Sequence, residues 1–202
     1  QVIFQFGVTA FLILVAVYGS EAYAAYGMCV QILSCSIVIG FGFSIAGATL
    51  VGQHLGAKNE EQAKRAGWGA MRLSIISMTF FGVLITIFAE PLARYMIDND
   101  EVVRLTVIFI WLLGSMQPLM AIEFSLGGAL RGAGDTKTPL AITLTCLLFI
   151  RVFLAMIFFL LDARVEVIFS TLVADYVVKG FLYVARFRSD RWMNVLKTRE
   201  AD

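Results

Sequence analysis

Charge and chain-breaking residues are scarce in this sequence. Of its 202 residues, 15% are charged, three are proline and one is histidine. A soluble domain carries about 25% charged residues, so an ordinary water-soluble globule is excluded. Sixteen bases against 15 acids leave no excess positive charge for a bulk polyanion, and nucleic acid is not an implied partner. The lone His54 has no ligand-type neighbours at metal-binding spacing, so no metal site is read. No HExxH or GxSxG motif occurs, and the chain reads as a non-enzyme without a cofactor. Cys29, Cys35 and Cys146 all fall inside apolar runs. They read as small buried packing residues rather than disulfide partners or metal ligands.

Apolar side chains are abundant: 59% of the sequence is hydrophobic and the mean hydropathy is +0.83. They come in long runs. No charge lies between Gln1 and Ser20, between Ala22 and Ala57, or between Leu73 and Ala89. A fourth run from Leu105 to Leu130 holds only Glu123, a fifth from Thr138 to Leu161 only Arg151, and a sixth from Val167 to Ala185 only Asp175 and Lys179. A helix needs roughly 20 apolar residues to cross a bilayer, and a helix is the spanning form that satisfies its own backbone there. The pattern predicts an all-α membrane protein: a six-transmembrane-helix bundle with helices at about 1–19, 23–50, 67–89, 103–130, 138–161 and 166–187, and a tail at 188–202. Glu90-Pro91 is expected to end the third helix, and Arg131–Asp135 the fourth. Lys58–Glu61 reads as a short surface element within a Val51–Lys64 loop, and Asp162–Arg164 as a tight turn. Gln1 opens directly on an apolar run with no signal-peptide pattern, so the chain is expected to be a segment of something longer.

Orientation follows from the bases. On six spans, ten fall on one side: Lys58, Lys64, Arg65, Arg131, Lys137, and five in the sixth-helix end and tail. Three (Arg94, Arg104, Arg164) fall on the other. The basic side is expected in the cytoplasm, with both ends of the chain there, in a cytoplasmic (plasma or inner) membrane.

The motifs sharpen the reading. Gly42–Ala57 (GFSIAGATLVGQHLGA) closes the second helix. Gln117-Pro118, followed by Gly128–Thr136 (GALRGAGDT), closes the fourth. With Arg151, Asp175, Lys179-Gly180 and Arg191-Trp192, these stretches resemble the multidrug and toxic compound extrusion (MATE) family of secondary transporters. The resemblance covers essentially the whole chain but only the carboxy-terminal six helices of a twelve-helix family. It implies one lobe of a cation-coupled (H⁺ or Na⁺) antiporter that exports amphipathic or cationic organic compounds, with the bilayer and a missing amino-terminal lobe as partners. The sequence departs from the family pattern in places. Phe153 stands where Pro is frequent, and Asp190 where Gly is common. Gln5 and Met120 stand where some branches carry carboxylates. A flippase of the wider superfamily moving a lipid-linked saccharide, or a non-transporting isolated lobe, are the alternatives.

Intramembrane charge is costly, about 2.5–3.5 kcal/mol per Asp, Lys or Arg at a helix centre, and so marks candidate sites. Glu123 and Asp175 are the cation or proton coupling candidates. Asp175 and Lys179, four apart, share a helix face and form an ion pair on this reading. Glu123 is open to Arg151 or Lys179, and Arg151 to either carboxylate. Gln5, Gln117, Arg151 and Lys179 are the substrate-cavity or ion-pair candidates, and Pro118 is a helix break that frees a backbone carbonyl. Arg72 is expected one turn inside its helix. The Gly128–Gly132 GxxxG is read as helix packing. Arg131 is expected at the helix dipole, with Asp135 pairing with it or capping the next helix.

Overall fold

A computed structural model describes residues 9, 12, 13, 15–17, 19–161 and 165–194. The first expected helix and Gln5 lie largely outside these residues, as do the Asp162–Arg164 turn and most of the tail. The described chain forms α1 (Ser20–Gly56), α2 (Glu60–Ile87), α3 (Ala89–Met96), α4 (Asp100–Ser115), α5 (Gln117–Gly132), α6 (Lys137–Leu160) and α7 (Val165–Arg188), then a 3₁₀ turn at Arg191–Asn194. Three of these, α1, α2 and α6, are long and apolar enough to cross a membrane singly. The pair α4–α5, bent by 51° at Met116, is long and apolar enough only when its two helices are taken together.

Helix ends follow from local chemistry. Asn59 caps α2 by accepting from the Gln62 N–H, and Asn99 caps α4 by accepting from Glu101 and Val102. Each Asn is followed by two acids in the first turn, Glu60–Glu61 and Asp100–Glu101, which favour the positive end of the helix dipole. The α1 and α5 ends share one hydrogen-bond pattern. The Asn59 N–H donates to the His54 carbonyl and Lys58 to Leu55; Asp135 donates to Leu130 and Gly134 to Arg131. Both require a left-handed residue. Gly134 (φ 83) supplies it without strain; Lys58 (φ 56) does so with a side chain. Asp190 also has a left-handed φ of 58.

Several boundaries correct the sequence reading. Val51–Gly56 continue α1 as helix and Glu60 already belongs to α2, so the expected Val51–Lys64 loop shrinks to Ala57–Asn59. The surface element at Lys58–Glu61 is thus a cap and a helix start. Glu90-Pro91 does not end a helix. It starts α3, whose Arg94 bridges Glu90 and Asp100 at 3.0 Å each. Cys35 is exposed, whereas Cys29 and Cys146 are buried. Arg72 lies twelve residues past Glu60, about three turns into α2 rather than one.

Packing runs through small residues. The buried face of α2 is Ala63, Gly67, Ala70, Ser74, Met78 and Gly82. Lipid provides no hydrophobic drive between helices, so close backbone approach and dispersion must hold them together. The α1–α5 crossing, the most extensive helix pair, shows this most clearly. A Cβ at Gly128 would run into the Ser44 backbone carbonyl, and one at Gly132 into that of Ala48. The expected packing role of the GxxxG is what the crossing shows. At the basic end, Val51, Leu126, Leu130, Tyr183, Phe187 and Trp192 form one buried cluster.

Asp135 ties that end together. Its Oδ1 accepts from the Thr138 N–H at 3.2 Å, capping α6, and its Oδ2 accepts from Arg186 at 2.6 and 2.9 Å. Burial raises its carboxyl pKa, but the hydrogen bonds from Thr138 and Arg186 outweigh it and hold the group below its ordinary value of 3.8. Arg131 instead donates to Ser44 Oγ at 2.8 Å. The sequence expectation of an Arg131–Asp135 pair gives way to its alternative, the cap. Arg186, one helix away, supplies the charge.

Candidate functional site

The candidate site lies between α5 and α7. Asp175 and Lys179, one turn apart on α7, form the expected pair: Lys179 Nζ donates to Asp175 Oδ2 at 2.9 Å. From α5, Glu123 Oε1 stands 3.8 Å from the same ammonium. Gly180, next to Lys179, faces α5: a Cβ there would sit 3.2 Å from Leu119 Cδ2. Lys179 therefore stands between two carboxylates. Its ammonium also lies 5.3 Å from the centre of the Tyr176 ring, within cation–π range.

The three members differ in access. Asp175 is fully buried and the Lys179 side chain is 5% exposed, while that of Glu123 is 20% exposed. Asp175 Oδ1 is buried and, among the described residues, has no hydrogen-bond donor. A buried acceptor without a donor costs about 1–3 kcal/mol, more for a charged group. That oxygen therefore keeps unused acceptor capacity. Glu123 is subject to the charges of Lys179, Asp175, Arg151 and Arg131.

Arg151 sits in a π-helical stretch of α6, Cys146–Val152, a helix distortion that recurs at functional sites. Its guanidinium donates to the Tyr26 hydroxyl of α1 at 3.2 Å, and Tyr26 is held edge-on against Phe109 at 5.8 Å. The sequence singled out neither Tyr26 nor Tyr176. Only their contacts with the charged residues bring them forward.

Gln117 and Pro118 stand at the α4–α5 break. Pro118 occupies the first turn of α5, and its missing N–H cannot serve the Gly114 carbonyl. Gln117 is fully buried, and among the described residues both its amide atoms lack partners. Its side chain fills the space left by Gly82, where a Cβ would meet Gln117 Cγ at 2.5 Å. It is thus wedged into the α2–α4 seam, apart from the α5–α7 charge cluster. Gln5 lies outside the described residues. Among the described residues no group of three His, Cys, Asp or Glu side chains is placed to hold a metal.

Comparisons with known proteins point one way. A family model described as MatE matches residues 1–157. The "Probable multidrug resistance protein NorM" of Thermotoga maritima is 30% identical over 199 residues, covering 94% of this chain and 41% of that protein. Its namesake from Mesorhizobium japonicum is 30% identical over 146 residues, covering 68% and 31%. Among solved structures, a MATE in complex with MaD3S superposes with a TM-score of 0.81 at 21% identity, covering 94% of this chain and 43% of that one. A MOP superfamily transporter from Pyrococcus furiosus superposes at 0.76 and 17%, covering 96% and 42%. The chain spans about two fifths of the length of the first of these relatives.

Proposed function

Since the chain belongs to the MatE family, an integral membrane transporter family, we propose that it is one lobe of a cation-coupled antiporter exporting amphipathic or cationic organic compounds across the cytoplasmic membrane. Both ends of the chain would face the cytoplasm, where ten of its bases gather. The amino-terminal lobe of the same transporter would complete the cavity.

The observation that carries the coupling is the unpartnered Asp175 Oδ1 within the Glu123–Lys179–Asp175 cluster. One ammonium serves two carboxylates in an apolar setting. An incoming H⁺ or Na⁺ takes the free acceptor capacity. An organic cation competes for the same carboxylates, above all the more accessible Glu123. Each displaces the other, which is the requirement for antiport. The affinity difference between the two occupied states then sets how far the conformational equilibrium moves.

The test is ethidium export by the full-length transporter in vesicles with an imposed pH or Na⁺ gradient. E123Q, D175N and the double variant are compared with wild type. Gradient-driven export is expected to fall in each single variant and to vanish in the double. Wild-type export in the double variant would overturn the proposal.

A further inference from the structure

The geometry points to a binding site for the phosphodiester of a bilayer phospholipid on the outer face of α2, built around Arg72 and Trp68. It rests on the chain lying in a membrane, not on the coupling proposed for Glu123 and Asp175.

A groove of about 420 Å³ runs along this face, lined by Glu61, Lys64, Arg65, Trp68, Gly69 and Arg72. Two of its bases are already paired. Lys64 Nζ is 2.6 Å from Asp190 Oδ2, and Arg65 is 2.5 Å from Glu61 Oε1. Arg72 is exposed and, among the described residues, has no protein partner. The groove therefore carries one uncompensated positive charge. A phosphodiester carries one negative charge, and a guanidinium matches its oxygens in a two-pronged geometry.

The level in the membrane is right for a headgroup. Arg72 is the last charge before the uncharged run from Leu73 to Ala89, so it marks the edge of the hydrocarbon. Trp68, one turn earlier, is the residue type that favours the interface, apolar in its body and polar at its N–H. Its ring is fixed in place. It meets Phe187 edge-on at 5.2 Å, Phe187 stacks on Trp192 at 4.6 Å, and Phe187 fills the space left by Gly67. Among the described residues the indole N–H has no protein acceptor, so it is a second donor for a phosphate oxygen.

The same helix face continues as a lipid-facing stripe. Spacings of three and four carry it from Arg72 to Ile76, Phe80, Val83 and Ile87, and all four are exposed. A phospholipid lying along α2 would place its phosphate at Arg72 and an acyl chain on this stripe. A free phosphate would gain nothing from the stripe, and the groove is therefore assigned to the lipid.

Gly69 makes the idea testable without touching charge. Nothing lies within 4 Å of a Cβ built there, so a larger side chain fills the groove while the helix gains a better helix former. Native mass spectrometry of the full-length protein with added phosphatidylglycerol reads the bound lipid directly. R72Q is expected to weaken retention about fivefold, the effect of one base near a headgroup. G69L is expected to weaken it by a similar factor through exclusion. R72K keeps the charge and is expected to fall between R72Q and wild type. Inorganic phosphate at millimolar level is expected to leave the adduct intact. Wild-type retention in R72Q or in G69L, or displacement by inorganic phosphate, would overturn the assignment. Ethidium export in the same variants distinguishes it from the coupling proposal, because neither Arg72 nor Gly69 touches the Glu123 cluster.

Discussion

The α1–α5 crossing makes a demand on one atom. Replacing Gly128 with Ala adds a single methyl group, which would meet the carbonyl oxygen, carbonyl carbon and Cα of Ser44. All three are backbone, so no rotamer change relieves the clash and the helices must part. Overpacking of this kind costs about 1–3 kcal/mol. Against it stands the helix preference of Ala over Gly, worth up to about 1 kcal/mol. The net loss is about 1–2 kcal/mol, which lowers the unfolding midpoint by roughly 1–2 °C in a protein as long as the relative of which this chain spans 41%. Gly42, on α1, is the matched control, since a Cβ there meets nothing within 4 Å. G42A is expected to leave the midpoint unchanged or raise it. The assay is thermal unfolding of the detergent-solubilised full-length protein, followed by loss of the monodisperse size-exclusion peak. A G128A midpoint at or above that of wild type would refute the argument, because it would mean that the backbones are not in contact at that position.

Further outcomes follow from the same structure. K58G is expected to raise thermal stability by about 1 kcal/mol, because Lys58 holds a left-handed conformation that Gly adopts freely; an unchanged or lower midpoint counts against that geometry. K179M strips the buried Asp175 and the half-buried Glu123 of their counter-charge and is expected to cost about 3–5 kcal/mol, measured by the same unfolding assay. K179M/D175N is expected to recover part of the loss, and equal stability of the two variants would deny the pairing. Asp135 has a folded-state pKa below its ordinary 3.8, so its contribution is present above that value and is lost as pH falls through the lower one. Wild-type midpoints should therefore drop as pH falls below about 4, and those of D135N should drop less over the same range; parallel curves would remove Asp135 as the cause.

Much of the bundle was legible because membrane physics writes itself into one dimension. Uncharged runs mark spans, since charge in hydrocarbon is expensive wherever it lies. The Asn59 and Asn99 caps, each an Asn followed by two acids, came to light only in the structure. Asp175 and Lys179 could be paired from spacing alone, because residues four apart on a helix are neighbours in any fold. The α3 helix was missed for a related reason. Its eight residues carry no span-length apolar run, and Pro91 reads as a terminator although it is equally at home in a first turn.

Through these local rules the sequence by itself determined the membrane class, the approximate spans, the Asp175–Lys179 pair and the membership in a transporter family. Tertiary structure alone decided the partners across helices. It brought Glu123 to Lys179, gave Arg151 the Tyr26 hydroxyl, and joined Asp135 to Arg186 instead of Arg131. It also turned Gln117 into the seam beside Gly82 and left Arg72 facing outward. The physical reason is that spacing specifies which residues share a face of one helix. Which face meets which neighbour depends on where backbones can approach, and here that is set by glycines such as Gly128 and Gly132, whose effect appears only when the helices are in place.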